Sequence, residues 1–340
     1  MKDSFLAAAA QISPVYMQLG ATVDKVCRAI AEAGARGAEL VVFPEVVIPG
    51  YPYWRGLYPI SEWTEWMVRY QENSLAIPSP ETERLCEAAR QARCFAAIGC
   101  SERSRLPGSE TLYNTILFID QEGRILGRHR KLMPTHGERL VWGMGDGSDL
   151  RVFETSLGRI GGLICYEHHM TLLKAALASL GEEIHCALWA GYWVMDGHPG
   201  KKRGWRPGDS ADFCEVAYAN REYAFETQNF VVSAGNYDAV ESLPPECQTF
   251  HIGSGGSAIL NPAGLYLAGP SLGREEILYA ELRAKDRLAT KAYIDTLGHY
   301  SRFDAVSLRL NLDRLTPIQE VRRQKSEAKN PNVDLLTSDS

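Results

Sequence analysis

Residues 22–45 have the sequence TVDKVCRAIAEAGARGAELVVFPE, and this stretch decides the class of fold. Apolar residues recur over 22–35 at the spacing of one face of a helix, and Gly34 and Gly37 end that pattern. The continuous apolar run at 40–43 is typical of a strand that is buried on both faces. A helix that leads directly into a buried strand predicts an α/β protein.

The same alternation of helices and strands continues along the chain. We predict helices at 22–35, 80–92, 171–180 and 214–227, and strands at 5–12, 40–43, 94–99, 114–119, 124–128, 160–164, 184–189, 230–234, 257–260, 265–268 and 277–282. Hairpins between them indicate α/β layers with a mixed sheet. Because no repeat, linker or shift in composition marks a boundary, we expect one domain at 1–310. A C-terminal extension at 311–340 would take part in subunit contacts.

Composition and charge exclude several classes of protein. The chain has 340 residues, of which 45% are hydrophobic and 23% charged, as in ordinary globular proteins. A net charge of −6 provides no electrostatic footprint for nucleic acid. We interpret the basic cluster at 128–130 as a short part of a strand and the cluster at 201–203 as solvated surface. No apolar run approaches the roughly 20 residues of a membrane helix. We expect the first apolar run to be a buried strand and not a signal peptide, because a signal peptide needs a positively charged start and a longer apolar segment. We therefore expect neither nucleic acid nor a membrane as a partner.

Eight cysteines are scattered along the chain, without a C-x-x-C pair or the spacing of zinc ligands. At this length an even number does not by itself imply disulfides. The pattern favours a reduced, cytoplasmic protein without a metal site.

Three polar residues stand where predicted strands end. Glu45 follows the run at 40–43, Lys131 follows the second strand of a hairpin, and Cys165 follows the strand at 160–164. Ligands and catalytic groups gather at strand ends in α/β sheets. A cysteine nucleophile needs a base for its proton and a cation for the charge that develops, so a glutamate, a lysine and a cysteine suit one reaction. Each residue alone has a plain structural explanation, and only the set predicts a site.

Several widely separated segments carry a family resemblance. They are FPE at 43–45, PGYP at 49–52, HRKLMPT at 129–135, HGERLVWG at 136–143, GLICYE at 162–167 and LGHYSR at 297–302. Together they resemble the nitrilase branch of the carbon–nitrogen hydrolase superfamily, rather than its amidase or carbamoylase branches. The resemblance extends over about residues 6–303.

The resemblance implies a fold, an assembly and a set of site residues. The implied fold is a four-layer α-β-β-α sandwich, in homodimers that build larger, spiral homo-oligomers and need no cofactor or metal. The implied catalytic residues are Glu45, Lys131, Cys165 and Glu138, with the backbone N–H of Tyr166 as the oxyanion donor. Family members usually carry Trp after the nucleophile. Because the backbone of Tyr166 and not its side chain points at the reacting centre, we expect activity to be retained.

The activity that the resemblance implies is hydrolysis of organic nitriles to carboxylic acids and ammonia, with some amide. Cys165 would form covalent thioimidate and thioester intermediates. An amidase or carbamoylase with the same Glu-Lys-Cys site is the alternative within the superfamily, and a catalytically silent scaffold is the alternative without chemistry. Ammonia release from nitriles and amides distinguishes the enzymes, and the reactivity of Cys165 tests the scaffold.

Two aromatic stretches follow the predicted catalytic residues, at 51–66, which we interpret as a loop, and at 189–193. Aromatic walls suit an apolar or aryl substrate, and packing in the core or between subunits is the plain alternative. Our candidates for substrate binding are Tyr53, Trp54, His136, Trp189 and Ala190.

His168 and His169 suggest a Cys–His dyad, because His is the usual base for a cysteine nucleophile. Side chains three or four residues along an extended chain lie well away from Cys165, however. We therefore favour a structural role for both histidines.

Overall fold

Alternate residues of the first strand, β1 (Ser4–Gln11), face two different cores. Phe5 and Ala7 belong to a core shared with the second sheet, whereas Ala8 and Ala10 pack with two helices. Because successive side chains of a strand point to opposite faces, a strand that is apolar on both faces must lie between two layers. The computed structural model describes residues 1–57, 59–191, 215–249 and 251–315. The predicted aromatic residues at 192–193, the basic cluster at 201–203 and most of the 311–340 extension lie outside the described residues.

Two mixed sheets form the centre of the described part of the chain. The first has seven strands in the order β13-β1-β2-β4-β5-β6, with β3 paired to β4. The second has six strands in the order β12-β11-β10-β9-β8-β7. The remaining strands are β2 (Ala38–Val42), β3 (Leu75–Ala76), β4 (Phe95–Arg103), β5 (Leu112–Ile119), β6 (Ile125–Arg130), β7 (Phe153–Glu154), β8 (Arg159–Ile164), β9 (Ile184–Trp189), β10 (Phe230–Gly235), β11 (Gly255–Leu260), β12 (Tyr266–Leu272) and β13 (Glu276–Arg283). In both sheets the central strands are parallel and the outer strands are antiparallel.

Helices cover the outer face of each sheet. The helices of the described residues are α1 (Leu19–Ala35), α2 (Ile60–Glu72), α3 (Pro80–Ala92), α4 (Thr171–Ser179), α5 (Glu215–Thr227), α6 (Pro245–Gln248) and α7 (Ala284–Tyr293). The apolar faces of α1 and α3 pack on the first sheet, and those of α4 and α5 pack on the second. The two sheets face each other across the shared core, so the predicted four-layer α-β-β-α sandwich is confirmed.

Local signals located several elements accurately. The helix predicted at 80–92 is α3, and Ser79 and Thr82 close its first turn as a capping box: the Ser79 hydroxyl accepts from the Thr82 N–H (3.3 Å), and the Thr82 hydroxyl accepts from the Ser79 N–H (2.8 Å). The strand predicted at 184–189 has the bounds of β9. These elements depend on capping and on apolar runs, which are local properties of the chain.

The interpretation of 51–66 as a loop is wrong, because α2 begins at Ile60. Trp63, Trp66, Met67 and Tyr70 follow the spacing of one helical face. That spacing appears only when residues beyond the aromatic stretch are included.

The start of the C-terminal extension lies against the loop at 146–149. The backbone N–H of Leu315 donates to Oδ2 of Asp146 (2.9 Å). Gly147 permits the close approach, since a Cβ there would lie 1.9 Å from the carbonyl oxygen of Asn311. The domain boundary at 310 stays a prediction. Among the described residues, no helix has the length and apolar character needed to cross a membrane.

Candidate active site

Cys165 lies at the junction of β8 and a short 3₁₀ helix, Cys165–His169. Its φ is 52°, in the left-handed region that residues other than glycine rarely adopt. A residue stays in such a conformation only where its surroundings determine the backbone, which is common at reactive positions. The residue is 2% exposed, at the carboxyl end of β8.

Glu45 lies in the turn after β2, packed directly against β4. Gly99 permits this packing, because a Cβ there would lie 2.0 Å from the carbonyl oxygen of Pro44. The backbone N–H of Glu45 donates to the carbonyl of Trp189 (3.3 Å), and its own carbonyl accepts from Nδ2 of Asn236 (2.6 Å). The turn is therefore fixed to both sheets.

Lys131 follows β6, and its ammonium group joins two glutamates. Nζ lies 2.9 Å from Oε1 of Glu45 and 2.8 Å from Oε2 of Glu138, and all three residues are buried. Asn114 supports the arrangement, because its carbonyl accepts from the Lys131 N–H (2.8 Å) and its Nδ2 donates to Oε1 of Glu45 (2.7 Å). Two carboxylates beside one ammonium group leave the cluster able to take up a proton.

Glu138, in the short 3₁₀ helix His136–Leu140, uses both of its carboxylate oxygens. Oε1 accepts from the hydroxyl of Tyr51 (2.7 Å), and Oε2 accepts from the backbone N–H of Thr135 (2.7 Å) beside the Lys131 ammonium. In contrast, Oε2 of Glu45 has no hydrogen-bond partner among the described residues. Glu45 therefore has an oxygen available to accept a proton.

Burial and neighbouring charges set the protonation of this cluster. Burial raises the pKa of the Cys165 thiol well above its usual value, and Glu45 adds to this shift while Lys131 opposes it. Burial also raises the pKa of Glu45, against the effect of Lys131. Burial alone would lower the pKa of Lys131, but Glu138 and Glu45 raise it well above its usual value. The resting cluster holds a thiol, an ammonium group and a carboxyl with a raised pKa, and these groups titrate together.

Tyr166 directs its backbone and its side chain to different places. Against the dominant effect of burial, the Tyr166 N–H hydrogen-bonds to Cys165 and lowers the pKa of the thiol. The phenol hydroxyl donates to Oε2 of Glu215 on α5 (2.6 Å). Tyr in place of the usual Trp thus contacts α5 and leaves the backbone donor directed at the Cys165 thiol.

Glu167 connects the lysine and cysteine segments, a contact that sequence analysis missed. Its Oε2 accepts from the Ile164 N–H and lies 2.9 Å from Nε2 of His129, and its Oε1 accepts from the Leu132 N–H (2.8 Å). Burial by itself would raise the pKa of Glu167, but His129 and the two backbone donors lower it overall. The carboxylate therefore holds both segments in one geometry.

Three other supporting residues were also missed, although two of them carry a sequence signal. Asn236 directly follows β10, which is the strand-end position that identified Glu45. Asn114 is a polar residue inside the apolar strand β5. Tyr51 lies in the PGYP segment, but nothing in the sequence indicates that its hydroxyl donates to Glu138.

Two predicted substrate-binding residues after Glu45, Tyr53 and Trp54, are fully buried. The Tyr53 hydroxyl donates to Oδ2 of Asp238 (2.6 Å). Trp54 packs with Trp66 and Tyr70, and its indole N–H has no hydrogen-bond partner among the described residues. Substrate contact by either residue stays a prediction.

The other predicted substrate-binding residues have different surroundings. Trp189 and Ala190 are fully buried, and the Trp189 indole N–H donates to Oδ1 of Asn220 (3.1 Å). His136 is exposed at the start of the helix that carries Glu138. Their contact with substrate also stays a prediction.

The histidines after Cys165 do not form a Cys–His dyad with its thiol. Nδ1 of His168 lies 2.7 Å from the carbonyl oxygen of Cys165, and its Nε2 lies 3.0 Å from Nε2 of His185. Both ring nitrogens are therefore engaged away from the sulfur. Nε2 of His169 lies 3.6 Å from Oε1 of Glu215. These contacts support the structural role that we favoured.

The cysteines and acidic residues show no sign of metal binding in the described part of the chain. Cys27, Cys86, Cys94, Cys100, Cys165, Cys186 and Cys247 are free thiols. No group of three or more His, Cys, Asp or Glu side chains among the described residues is arranged to hold a metal ion.

The chain belongs to the carbon–nitrogen hydrolase family, whose sequence pattern matches residues 6–292. An aliphatic nitrilase of Rhodococcus rhodochrous is 39% identical to it over 330 residues, which cover 93% of this chain and 85% of the relative. A bifunctional nitrilase/nitrile hydratase of Nicotiana tabacum is 34% identical, with coverage of 92% and 87%. A nitrilase of Bacillus sp. (strain OxB-1) is 33% identical, with coverage of 94% and 92%. These similarities confirm the nitrilase branch.

Solved structures agree with the fold. The crystal structure of a carbon–nitrogen hydrolase from Helicobacter pylori G27 superimposes with a TM-score of 0.68 at 18% identity, covering 88% of this chain and 96% of the other. The nitrilase-superfamily protein Nit3 from Saccharomyces cerevisiae superimposes with a TM-score of 0.64 at 19% identity, covering 88% and 97%. At such low identity the similarity concerns the fold alone.

Proposed function

We propose that this protein is a nitrilase, which hydrolyses organic nitriles to carboxylic acids and ammonia through a covalent bond to Cys165. The observation that carries the proposal is the buried Glu45–Lys131–Glu138 cluster beside Cys165, in which Oε2 of Glu45 has no partner among the described residues. The nitrilases among the relatives, which match most of the chain, support the substrate class.

In the first step, Oε2 of Glu45 accepts the Cys165 proton and the sulfur attacks the nitrile carbon. As the S–C bond forms, one π bond of the nitrile becomes a lone pair on nitrogen, which takes the proton from Glu45. Lys131 and the backbone N–H of Tyr166 stabilise the negative charge that develops on this nitrogen. The product of the step is a thioimidate.

In the second step, water transfers a proton to Glu45 and adds to the thioimidate carbon. Proton transfer to nitrogen breaks the C–N bond, so ammonia leaves and a thioester remains. A second water, activated in the same way, releases the carboxylic acid, and the sulfur takes back its proton. If the C–S bond breaks before the C–N bond, the product is an amide instead.

Glu138 has a supporting part in this mechanism. Its bond to the Lys131 ammonium (2.8 Å) keeps Nζ beside Glu45, and its bond to Tyr51 fixes the carboxylate. We propose that Tyr53, Trp54, His136, Trp189 and Ala190 contribute to the substrate pocket. The unpartnered indole N–H of Trp54, within the described residues, supports this for one of them.

The test is ammonia release from aryl, arylaceto- and aliphatic nitriles and from the matching amides. Wild type should release ammonia from at least one class of nitrile, and Cys165→Ala should release none because it lacks the nucleophile. The matched control is Cys27→Ser, which replaces a half-buried thiol that donates to the carbonyl of Arg84 (3.6 Å) and should keep wild-type activity.

Two outcomes would replace the proposal. Release from amides alone would assign the site to an amidase or carbamoylase with the same Glu45–Lys131–Cys165 chemistry. Release from neither substrate, together with a Cys165 that does not react with iodoacetamide, would leave the scaffold interpretation.

We also propose a homodimer that pairs the helical layers and builds larger, spiral homo-oligomers. Large apolar side chains on α4 and α5 support it, because Leu172 is 69% exposed and Phe225 is 65% exposed. Light scattering should show that Phe225→Glu dissociates the dimer. Leu288→Glu is the control, since Leu288 is 70% exposed on α7 instead. A Phe225→Glu protein that stays dimeric would contradict this pairing.

A cytoplasmic location completes the proposal. The seven free thiols in the described part of the chain support a reducing compartment. Fractionation of the native cells should recover the protein with cytoplasmic markers, and recovery with an oxidising compartment would contradict it.

A further inference from the structure

A chain of buried side chains beneath the nucleophile ends on the backbone of Cys165. Oε1 of Glu182 lies 2.8 Å from Nδ1 of His185, and Nε2 of His185 lies 3.0 Å from Nε2 of His168. Nδ1 of His168 lies 2.7 Å from the carbonyl oxygen of Cys165. The mechanism above uses none of these three side chains, although all of them are buried.

The contacts themselves determine where the protons lie. The carbonyl of Cys165 only accepts, so Nδ1 of His168 carries a proton and donates it. A single proton then lies between the two Nε2 atoms, and a further one lies between His185 and Glu182.

Packing holds this network rigidly. The His168 ring stacks on Trp189, with ring centroids 4.7 Å apart, and the His185 ring stacks on Tyr223 at 3.7 Å. The hydroxyl of Tyr223 donates to Oε2 of Glu182 (2.5 Å). The His168 ring, whose Nδ1 donates to the Cys165 carbonyl, is therefore held by its stacking on Trp189 and by its contact with His185.

The carbonyl of Cys165 and the N–H of Tyr166 belong to the same peptide group. This is the N–H that hydrogen-bonds to the Cys165 thiol. A hydrogen bond to a peptide carbonyl polarises the amide and strengthens its N–H as a donor. His168 therefore contacts the carbonyl end of the Cys165–Tyr166 peptide, and the N–H end of the same peptide faces the Cys165 thiol.

We propose that His168 is a positioning residue, which orients and polarises the Cys165–Tyr166 peptide and is itself held by His185 and Glu182. Its effect is to strengthen the Tyr166 N–H as a donor to the Cys165 thiolate and to the charge that develops during the reaction. The catalytic consequence rests on the proposed function, whereas the effect on the thiolate does not.

Other titratable and charged groups surround the His168–His185–Glu182 network. They are Tyr223 on α5, His169 in the same turn and Lys174 on α4, which pairs with Glu222 and Glu226. Burial lowers the pKa of His168 well below its usual value, and His185 adds to this shift. His168 therefore donates to the Cys165 carbonyl as a neutral imidazole at neutral pH.

The first measurement is the pH dependence of Cys165 alkylation by iodoacetamide, followed on the peptide that contains it. His168→Phe removes the donor and should slow alkylation near neutral pH by about threefold to tenfold, the effect of one hydrogen bond, with a higher midpoint pH. His168→Asn is the matched variant, because its amide N–H can replace Nδ1 and should restore the wild-type midpoint. An unchanged midpoint in folded His168→Phe would overturn the proposal, and so would an Asn variant that behaves like Phe.

The second measurement reports on the peptide directly. Cys165–Tyr166 is the only Cys–Tyr pair in the sequence, so ¹³C′-Cys and ¹⁵N-Tyr labelling selects a single amide signal. In His185→Gln, which keeps a donor to His168 but loses Glu182, the Tyr166 proton resonance should move upfield. A resonance that stays at its wild-type position would overturn the proposal even if His168→Phe fails to fold.

Both measurements are made without a nitrile, so they separate this proposal from the proposed function. If nitriles are hydrolysed, kcat of His168→Phe should fall by about the same factor as alkylation, with KM unchanged. If they are not, the alkylation and resonance shifts still decide the role of His168.

Discussion

Glu102 and Glu45 are both fully buried beside β5 and β6, and both contact a cationic side chain at the end of β6. Both oxygens of Glu102 are satisfied. Oε1 accepts from Arg128 and Arg130 (2.7 Å each), and Oε2 accepts from Arg130 and Thr115 (2.9 Å each). In Glu45, only Oε1 has donors among the described residues.

The residues that contact the two carboxylates occupy adjacent positions along β5 and along the end of β6. Thr115 and Arg130 are paired across β5 and β6 and contact Glu102, whereas the next pair along, Asn114 and Lys131, contacts Glu45. Successive side chains of a strand point to opposite faces, so one pair contacts Glu102 and the next contacts Glu45, the proposed base. Glu102 and Glu45 are alike in burial and in having a cationic neighbour, and they differ in the number of hydrogen-bond donors that the described residues supply to each carboxylate.

The largest expected effect is the loss of activity in Glu45→Gln. An amide cannot accept the thiol proton, so kcat should fall by about 10³-fold. Its oxygen can still accept from Lys131 and Asn114, so the melting temperature should change little. Ammonia release and thermal unfolding measure both. Activity within tenfold of wild type would remove Glu45 as the base.

Glu102→Gln should give the opposite result and is the matched variant. It removes the carboxylate that pairs with Arg130 and leaves Arg128 paired with Asp149 alone (3.4 Å), so it should lower the free energy of unfolding by about 3 kcal/mol. Because Glu102 takes no part in proton transfer, kcat of the folded variant should stay within about twofold of wild type. Denaturant unfolding and turnover of the same preparation test this. A large loss of kcat at full stability would contradict the division of roles.

A third buried carboxylate, Glu167, should make the free energy of unfolding depend on pH. Its folded pKa is lowered, so its stabilisation is present above its unfolded pKa and is lost as pH falls through the folded value. Burial would lower the pKa of His129, but Glu167 raises it, so that contribution is present below the unfolded pKa and is lost as pH rises through the folded value. The pair therefore stabilises the fold most between about pH 4.3 and 6.5.

The measurement is the free energy of unfolding of wild type and Glu167→Gln across pH. The difference should reach about 2 kcal/mol in that window and decrease at higher pH, once His129 is neutral. A difference that does not vary with pH would show that the backbone bonds of Glu167, and not its charge, stabilise the fold.

The smallest expected effect concerns the tyrosines beside the two clusters. Tyr51→Phe removes one donor from Glu138 and should lower kcat by about threefold to tenfold. Tyr113→Phe keeps the ring that lies 3.8 Å from the Arg130 guanidinium and should leave kcat unchanged. Steady-state kinetics of both variants compare the two clusters directly, and equal losses would contradict the distinction between them.

The sequence pointed to residues that the fold brings together where a residue type, a strand end and a family segment coincide. Glu45, Lys131 and Glu138 share hydrogen bonds, and Cys165 responds to their charges, as that coincidence suggested. Their catalytic roles stay predictions until the variants are measured.

The supporting contacts could not be predicted in this way. Glu167 and His129 lie 38 positions apart, and Asn114 and Glu45 lie 69 apart. Such contacts depend on how the strands pair and on which face each side chain occupies, and no local pattern specifies either. The bounds of α2 were missed for a smaller reason, since the helical spacing extends beyond the aromatic stretch.

Hydrophobic periodicity, capping and segment chemistry are local properties, so the amino-acid sequence is enough to predict the α/β class, most of the elements and the candidate residues at the strand ends. The packing of the fold determines which carboxylate has an oxygen without a partner among the described residues, which histidine contacts the Cys165 carbonyl and in which direction each pKa moves. Donor number, burial and distance set those properties, and they arise only when both sheets pack together.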